Sequence, residues 1–147
     1  MFYETNRITQ SLKPLMNQAL KPTDAELEIL QILWEQGAAS VRFVHEKLSE
    51  NRQATAREEV GYTTTLKLMQ IMADKGLVSR NTDSRVHIYT PAVAQEDTQQ
   101  QLLKKFVDSA FQGSAMKLVM QALGNHKASA EELDEIKALI EKMEKEK

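Results

Sequence analysis

The chain has no cysteine among its 147 residues and no apolar run near the roughly 18–20 residues that a membrane-spanning helix needs. Without cysteine, thiol catalysis, zinc–thiolate sites and a disulfide framework are excluded. The catalytic signatures are missing too: the sequence holds no Walker A run, no G-x-G-x-x-G, no G-x-S-x-G and no H-E-x-x-H. His45, His87 and His126 each stand without a second ligand at helical spacing, so neither a metal nor a cofactor is expected. The first twenty residues lack the roughly 7–15-residue apolar core of a secretory signal. These absences point to a non-enzymatic protein of the cytoplasm with no membrane insertion.

Charge of one sign is also scarce. The net charge of −2 argues against a protein that coats DNA broadly, so any nucleic-acid contact must use a local patch. One stretch qualifies: residues 40–91 carry eight basic and six acidic groups, whereas the acidic residues concentrate upstream. A hydrophobic content of 41% with 27% charged residues is ordinary for a globular chain, and this length suffices for one compact domain with an appendage.

The richest stretch is GYTTTLKLMQIMADKGLVSRNTDSRVHIYTP, residues 61–91. At about 100° per residue, Leu66, Met69, Met72 and Ala73 share one side of a helix, flanked by Thr65. Thr64, Lys67, Gln70, Ile71 and Asp74 share the other. Thr63 is placed to cap this helix and Gly76 to end it. Leu77–Arg80 and Val86–Thr90 then alternate as two short strands, with Val86 and Ile88 facing inward and Asn81–Ser84 as the turn. Arg80 and Arg85 flank the turn and can offer guanidinium groups to phosphate. A polar helix start followed by a hairpin is the layout of a recognition helix and β-wing.

Upstream, Thr23-Asp24-Ala25-Glu26 has capping-box spacing and opens a helix with Leu27, Leu30, Leu33 and Trp34 as its core stripe, ended by Gly37. Ser40 caps a second helix that turns Val41, Val44 and Leu48 inward, with Arg42 near its start. The stretch Ser49–Gly61 is read as a mobile solvated link, whose Arg52 and Arg57 could reach phosphate. The last third reads as three helices. Glu96–Phe111 turns Leu102, Leu103, Phe106, Val107, Ala110 and Phe111 to one side, and Ser114–Leu123 aligns Met116, Val119, Met120 and Leu123. Gly124-Asn125 is the second stop, and Ser129 opens a helix striped by Leu133, Ile136, Ile140 and Met143. Such short helices cannot shield a core alone, so a second copy of the chain is the expected cover.

The runs TDAELEILQILWEQGAASVRFVHEKL, GYTTTLKLMQIMADKGLVSR and VHIYTP resemble the penicillinase-repressor group of bacterial regulators, the BlaI/MecI/CopY family, over residues 21 to about 143. The resemblance implies a homodimeric winged-helix repressor that binds double-stranded DNA at an operator built from an inverted TACA/TGTA-type repeat. It also implies relief by cleavage in the dimerisation region, downstream of a membrane-embedded sensor metalloprotease. The matching bond here is Lys105-Phe106, where the family has an asparagine before the phenylalanine. The family's copper-sensing branch uses a C-terminal cysteine cluster, which this chain lacks.

The expected architecture is mostly α with a small antiparallel β-wing. An N-terminal extension (1–20, with Met16 where a start would be expected) precedes a winged helix-turn-helix domain (21–92) and a helical dimerisation region (95–147). The expected DNA-binding set is Ser40, Arg42, Tyr62, Thr63, Thr64, Thr65, Lys67, Arg80 and Arg85. The expected dimerisation set is Leu102, Leu103, Phe106, Val107, Phe111, Val119, Leu123, Leu133, Ile136 and Ile140. Two competing classes stay open. One is a winged-helix adaptor for a protein partner, which Ile71 and Asp74 on the recognition face would suit. The other is a repressor whose C-terminal helices hold a small ligand.

Overall fold

Thr23 opens the first helix by a reciprocal cap: its hydroxyl accepts from Glu26 N at 3.2 Å, and Glu26 Oε1 accepts from Thr23 N at 2.9 Å. The computed structural model describes residues 21–125 and 127–147; the expected extension at residues 1–20 and His126 lie outside them. Helix α1 (Asp24–Gln36) ends at Gly37, whose φ of 93° frees its N–H for Leu33 O. Strand β1 (Ala39–Ser40) runs without a connecting residue into α2 (Val41–Ala54), because Ser40 both ends the strand and caps the helix through Phe43 N. Helix α3 (Tyr62–Lys75) follows, then β2 (Val78–Asn81), β3 (Ile88–Pro91), α4 (Gln95–Ala110), α5 (Ala115–Asn125) and α6 (Ala130–Lys145).

The sheet is antiparallel in the order β1-β3-β2, with Ala39 opposite Tyr89 and Arg80 opposite Tyr89 on the other edge. Helix α1 packs against α2, α3 and β3, around a core of Ile29, Leu30, Leu33, Val44, Leu48, Met69, Met72, Leu77 and Tyr89. Each such side chain contributes about 1.5–3 kcal/mol by leaving water. Trp34 is the half-buried anchor expected of it, its indole N–H donating to Val93 O at 2.9 Å.

Several expectations change. The cap of α3 is Gly61 rather than Thr63, and it makes no side-chain bond. The wing alternation is inverted: Tyr89 is buried, while Val86 is 57% exposed and lies in the loop before β3. Pairing with β1 and β2 begins β3 only at Ile88, and a one-residue shift exchanges the faces of a strand. The loop thus spans 82–87, held by Asp83 N on Asn81 Oδ1 and by the Ser84 hydroxyl on Val86 O. At the other end of the chain, α5 ends at Asn125, within the expected Gly124-Asn125 stop.

The Ser49–Gly61 link is not a mobile loop throughout. Helix α2 continues to Ala54, and its end is a Schellman-type turn in which Arg57 N bonds Arg52 O and Ala56 N bonds Gln53 O. Ala56 takes the left-handed position at φ 54°, a place usually left to glycine. Arg52 and Arg57 do not point free to phosphate either. Both converge on Glu28 of α1, with Arg52 Nε and Nη2 at 3.2 and 3.1 Å and Arg57 Nη2 at 2.8 Å. Arg52 Nη1 also holds Glu58 O at 2.9 Å, so the guanidinium ties the loop to α1. Replacing Ala56 by glycine should relieve the left-handed strain without touching this clamp. The midpoint of urea unfolding should rise, by a stability gain of about 1 kcal/mol; an unchanged midpoint would show that the turn is not strained.

The carboxylate of Glu26 is 1% exposed and joins two helix ends, since Oε1 also accepts from Lys75 Nζ at 2.8 Å at the close of α3. Burial pushes this carboxyl up. The bond from Lys75, the backbone N–H and hydroxyl of Thr23 and the charge of Lys75 pull it down further, leaving it below its ordinary value.

The chain divides into two compact units, one ending at Leu102 and the other running Leu103–Lys147. In the second unit Ser129 forms the expected reciprocal cap with Glu132. Neither α5 nor α6 buries a single residue, and their apolar stripes stand open. No helix among the described residues is long and apolar enough to cross a membrane.

Candidate nucleic-acid interface

Three elements of the first unit meet around a cleft of about 990 Å³: the start of α2, the start of α3, and the wing loop. It is lined by Ser40 at the cap of α2, by Arg42 and His45 from that helix, by Tyr62 and Leu66 from α3, and by Arg85 and His87 from the wing, with Glu46 as its acidic member. Four of the nine residues expected to touch DNA (Ser40, Arg42, Tyr62 and Arg85) therefore face one space. Their convergence has a local cause. Ser40 starts α2 beside the sheet, which brings Arg42 near the wing, and Gly61 starts α3 so that Tyr62 is its first residue.

Thr63, Thr64 and Lys67 are exposed on α3 with Gln70, Ile71 and Asp74, as the periodicity required. The N-terminal turn of this helix carries no acidic residue and no side-chain cap, so its free backbone N–H groups add a partial positive charge beside the threonines.

Thr65 departs from the expected set. It is fully buried, and its hydroxyl donates to Gly61 O at 3.3 Å, which satisfies the side chain within its own helix. Arg80 is exposed but lies within β2, away from the cleft, so only Arg85 belongs to the loop. The two histidines of the cleft, His45 and His87, were not expected as contacts. His45 lies one turn beyond Arg42 on the same helix, and that three-residue spacing was available as a signal. Its Nδ1 is 3.2 Å from Thr65 Oγ1, and its ring meets Tyr62 edge-on at 5.6 Å.

The expected dimerisation residues divide in a similar way. Leu103, Phe106, Val119, Leu123, Leu133 and Ile140 are exposed, whereas Leu102, Phe111 and Ile136 are half-buried. Val107 is already buried in the single chain, so it is not open to a partner. Phe106 and Phe111 stack edge-on at 5.7 Å.

The chain is 26% identical over 119 residues to a penicillinase repressor of Bacillus licheniformis, covering 81% of this chain and 88% of that protein. It is 22% identical over 126 residues to the methicillin resistance regulatory protein MecI of Mammaliicoccus sciuri, covering 86% and 98%. Among solved structures, it is similar to the DNA binding domain of the repressor BlaI, at 23% identity and a TM-score of 0.44, over 52% of this chain and 87% of that one. The penicillinase repressor family matches residues 22–142, and the chain is a member of that family of winged-helix, DNA-binding transcriptional repressors.

Proposed function

We propose that the chain represses transcription as a homodimer that grips an inverted-repeat operator of TACA/TGTA type. The observation that carries this reading is the cleft itself, in which Arg42, Tyr62 and Arg85 from three elements converge beside the exposed Thr63, Thr64 and Lys67. Residues 21–92 read the half-site, and residues 95–147 supply the dimer. Helix α3 enters the major groove by its threonine-rich end, where hydroxyls bond phosphate and methyls touch thymine. Arg42 and Arg85 hold the backbone on either side of that entry. The exposed polar face favours DNA over a protein partner, because Thr64, Lys67 and Gln70 outnumber the apolar Ile71 and acidic Asp74.

Relief by proteolysis belongs to the same reading, with a membrane-embedded sensor metalloprotease as the upstream partner. The Lys105-Phe106 bond is exposed but lies inside α4. Proteases cut exposed loops more readily than helices, so cleavage there requires α4 to unwind locally.

Salt-titrated fluorescence anisotropy tests the DNA reading. Lys67→Ala and Arg85→Ala should each weaken binding to dyad and scrambled duplexes alike, and each should lower the salt slope by about one unit. Slopes unchanged in both variants would remove these residues from the phosphate-binding set. Equal affinity of the unaltered protein for dyad and scrambled DNA would defeat the repressor reading itself.

A further inference from the structure

His45 is tied to the recognition helix through the Thr65 hydroxyl. Thr65 Oγ1 has a single hydrogen and gives it to Gly61 O at 3.3 Å. With that hydrogen on Gly61 O, the 3.2 Å contact with His45 is one in which Nδ1–H donates and the threonine oxygen accepts. A neutral imidazole with its hydrogen on Nδ1 has only a lone pair on Nε2. Nε2 then becomes a donor only by taking up a proton. The ring lines the cleft between α3 and the wing, held edge-on against Tyr62 at 5.6 Å.

The groups facing this ring are Arg42 and Glu46 on its own helix, Tyr62 on α3, and Arg85 and His87 on the wing. A phosphate placed in the cleft beside this ring would favour the charged imidazole, because an anion stabilises that form. The charged ring then offers Nε2–H to a phosphate oxygen without giving up its bond to Thr65.

Resting on the operator-binding reading above, we infer that His45 is a DNA-contacting residue that binds a backbone phosphate through Nε2, and that each half-site takes up about one proton as it is bound. The sign follows from linkage. Binding raises the proton affinity of the ring, so the operator complex gains stability as pH falls and loses it as pH rises. Histidine thereby adds a phosphate contact whose strength varies over the range in which a lysine or arginine stays constant.

The test is operator affinity of the full-length protein at pH 6 and pH 8, at matched ionic strength, on a dyad duplex. The unaltered protein should bind about 10-fold more tightly per half-site at pH 6. His87→Gln, which removes the other imidazole of the cleft, should keep most of that dependence. His45→Asn places an amide N–H where Nδ1 stands and deletes Nε2, so it should keep the bond to Thr65 and the thermal midpoint while losing the pH dependence. His45→Gln removes the donor near Thr65 and extends an amide toward the Nε2 position, which separates loss of the contact from loss of helix positioning. A flat affinity between pH 6 and pH 8 in a protein that binds its operator would overturn this assignment alone. So would an unchanged pH dependence in His45→Asn. Failure to bind the dyad at either pH would overturn the operator reading as well.

Discussion

Ending the chain after Gln100 is expected to leave a folded monomer whose operator affinity is lower by about 100-fold to 10,000-fold. The first compact unit ends at Leu102, and its core draws on residues between Ile29 and Tyr89, all of which the truncated chain retains. What it loses is the open apolar surface: Leu103, Phe106, Met116, Val119, Met120, Leu133, Ile140 and Met143 are all exposed in the single chain. Because α5 and α6 bury none of their own residues, little of the fold's stability resides in them. A second copy covering these stripes would join two half-site readers, and the second reader then binds at an effective concentration near millimolar. Truncation removes that linkage while keeping every group that lines the cleft. Sedimentation should report a dimer for the full-length protein at micromolar concentration and a monomer for the shortened one. A full-length monomer, or tight operator binding by the shortened form, would sink this account. Cleavage at Lys105-Phe106 would act in the same way, by removing most of the stripes in one cut.

The second large effect is expected at Lys75, far from the proposed contacts. Lys75→Met removes the ammonium that meets Glu26 at 2.8 Å and leaves the buried carboxylate with the groups of Thr23 alone. Stranding one partner of a buried pair costs about 3 kcal/mol, or roughly 10–20 °C in the melting temperature of a unit this size. The pH dependence adds a check. In the unaltered protein the carboxyl is held below its ordinary value of 4.5, so its contribution is present above that value and is lost as pH falls through the lower one. In Lys75→Met burial acts without the ammonium and pushes the carboxyl up, so protonation at mildly acidic pH relieves the cost. Denaturant unfolding should therefore show the two proteins drawing closer between pH 7 and pH 5. The Glu26→Gln/Lys75→Met pair should recover part of the loss, because no charge remains buried. A stability gap that stays constant with pH would mean that the carboxylate is not stranded.

The features legible in the sequence are those set by neighbours a few residues apart. Thr23 and Glu26 cap α1, Ser40 caps α2, Ser129 caps α6, and Gly76 closes α3 in a left-handed conformation, all within one turn of their partners. The exposed face of α3 was equally legible, since its period is local. The rest depended on partners distant in the chain or on unusual choices. The end of α2 carries no glycine, because Ala56 takes the left-handed place, so the helix looked shorter than it is. Arg52 and Arg57 looked like free cations because Glu28 lies 24 or more residues away. Thr65 looked like a contact because its identity is polar, whereas its hydroxyl turns back on Gly61. Strand β1 is two residues long and acquires its meaning only from Ile88 and Tyr89 across the sheet. His45 carried a spacing signal from Arg42, but its contact with Thr65 depends on a residue of another helix.

The direct passage from β1 into α2 has a mechanical consequence. Ser40 pairs with Ile88 in the sheet and in the next step caps the helix, so no residue between them can act as a hinge. Torque applied to the root of the wing is carried to the start of α2 without slack. The loop at 82–87, tethered among the described residues by two short local bonds, is expected to be the more compliant part. A duplex whose groove width varies from site to site would thus meet one stiff jaw and one spring. The stiff jaw would set the angle at which α3 enters the groove, and tolerance for an imperfect half-site would come from the give of the loop that carries Arg85.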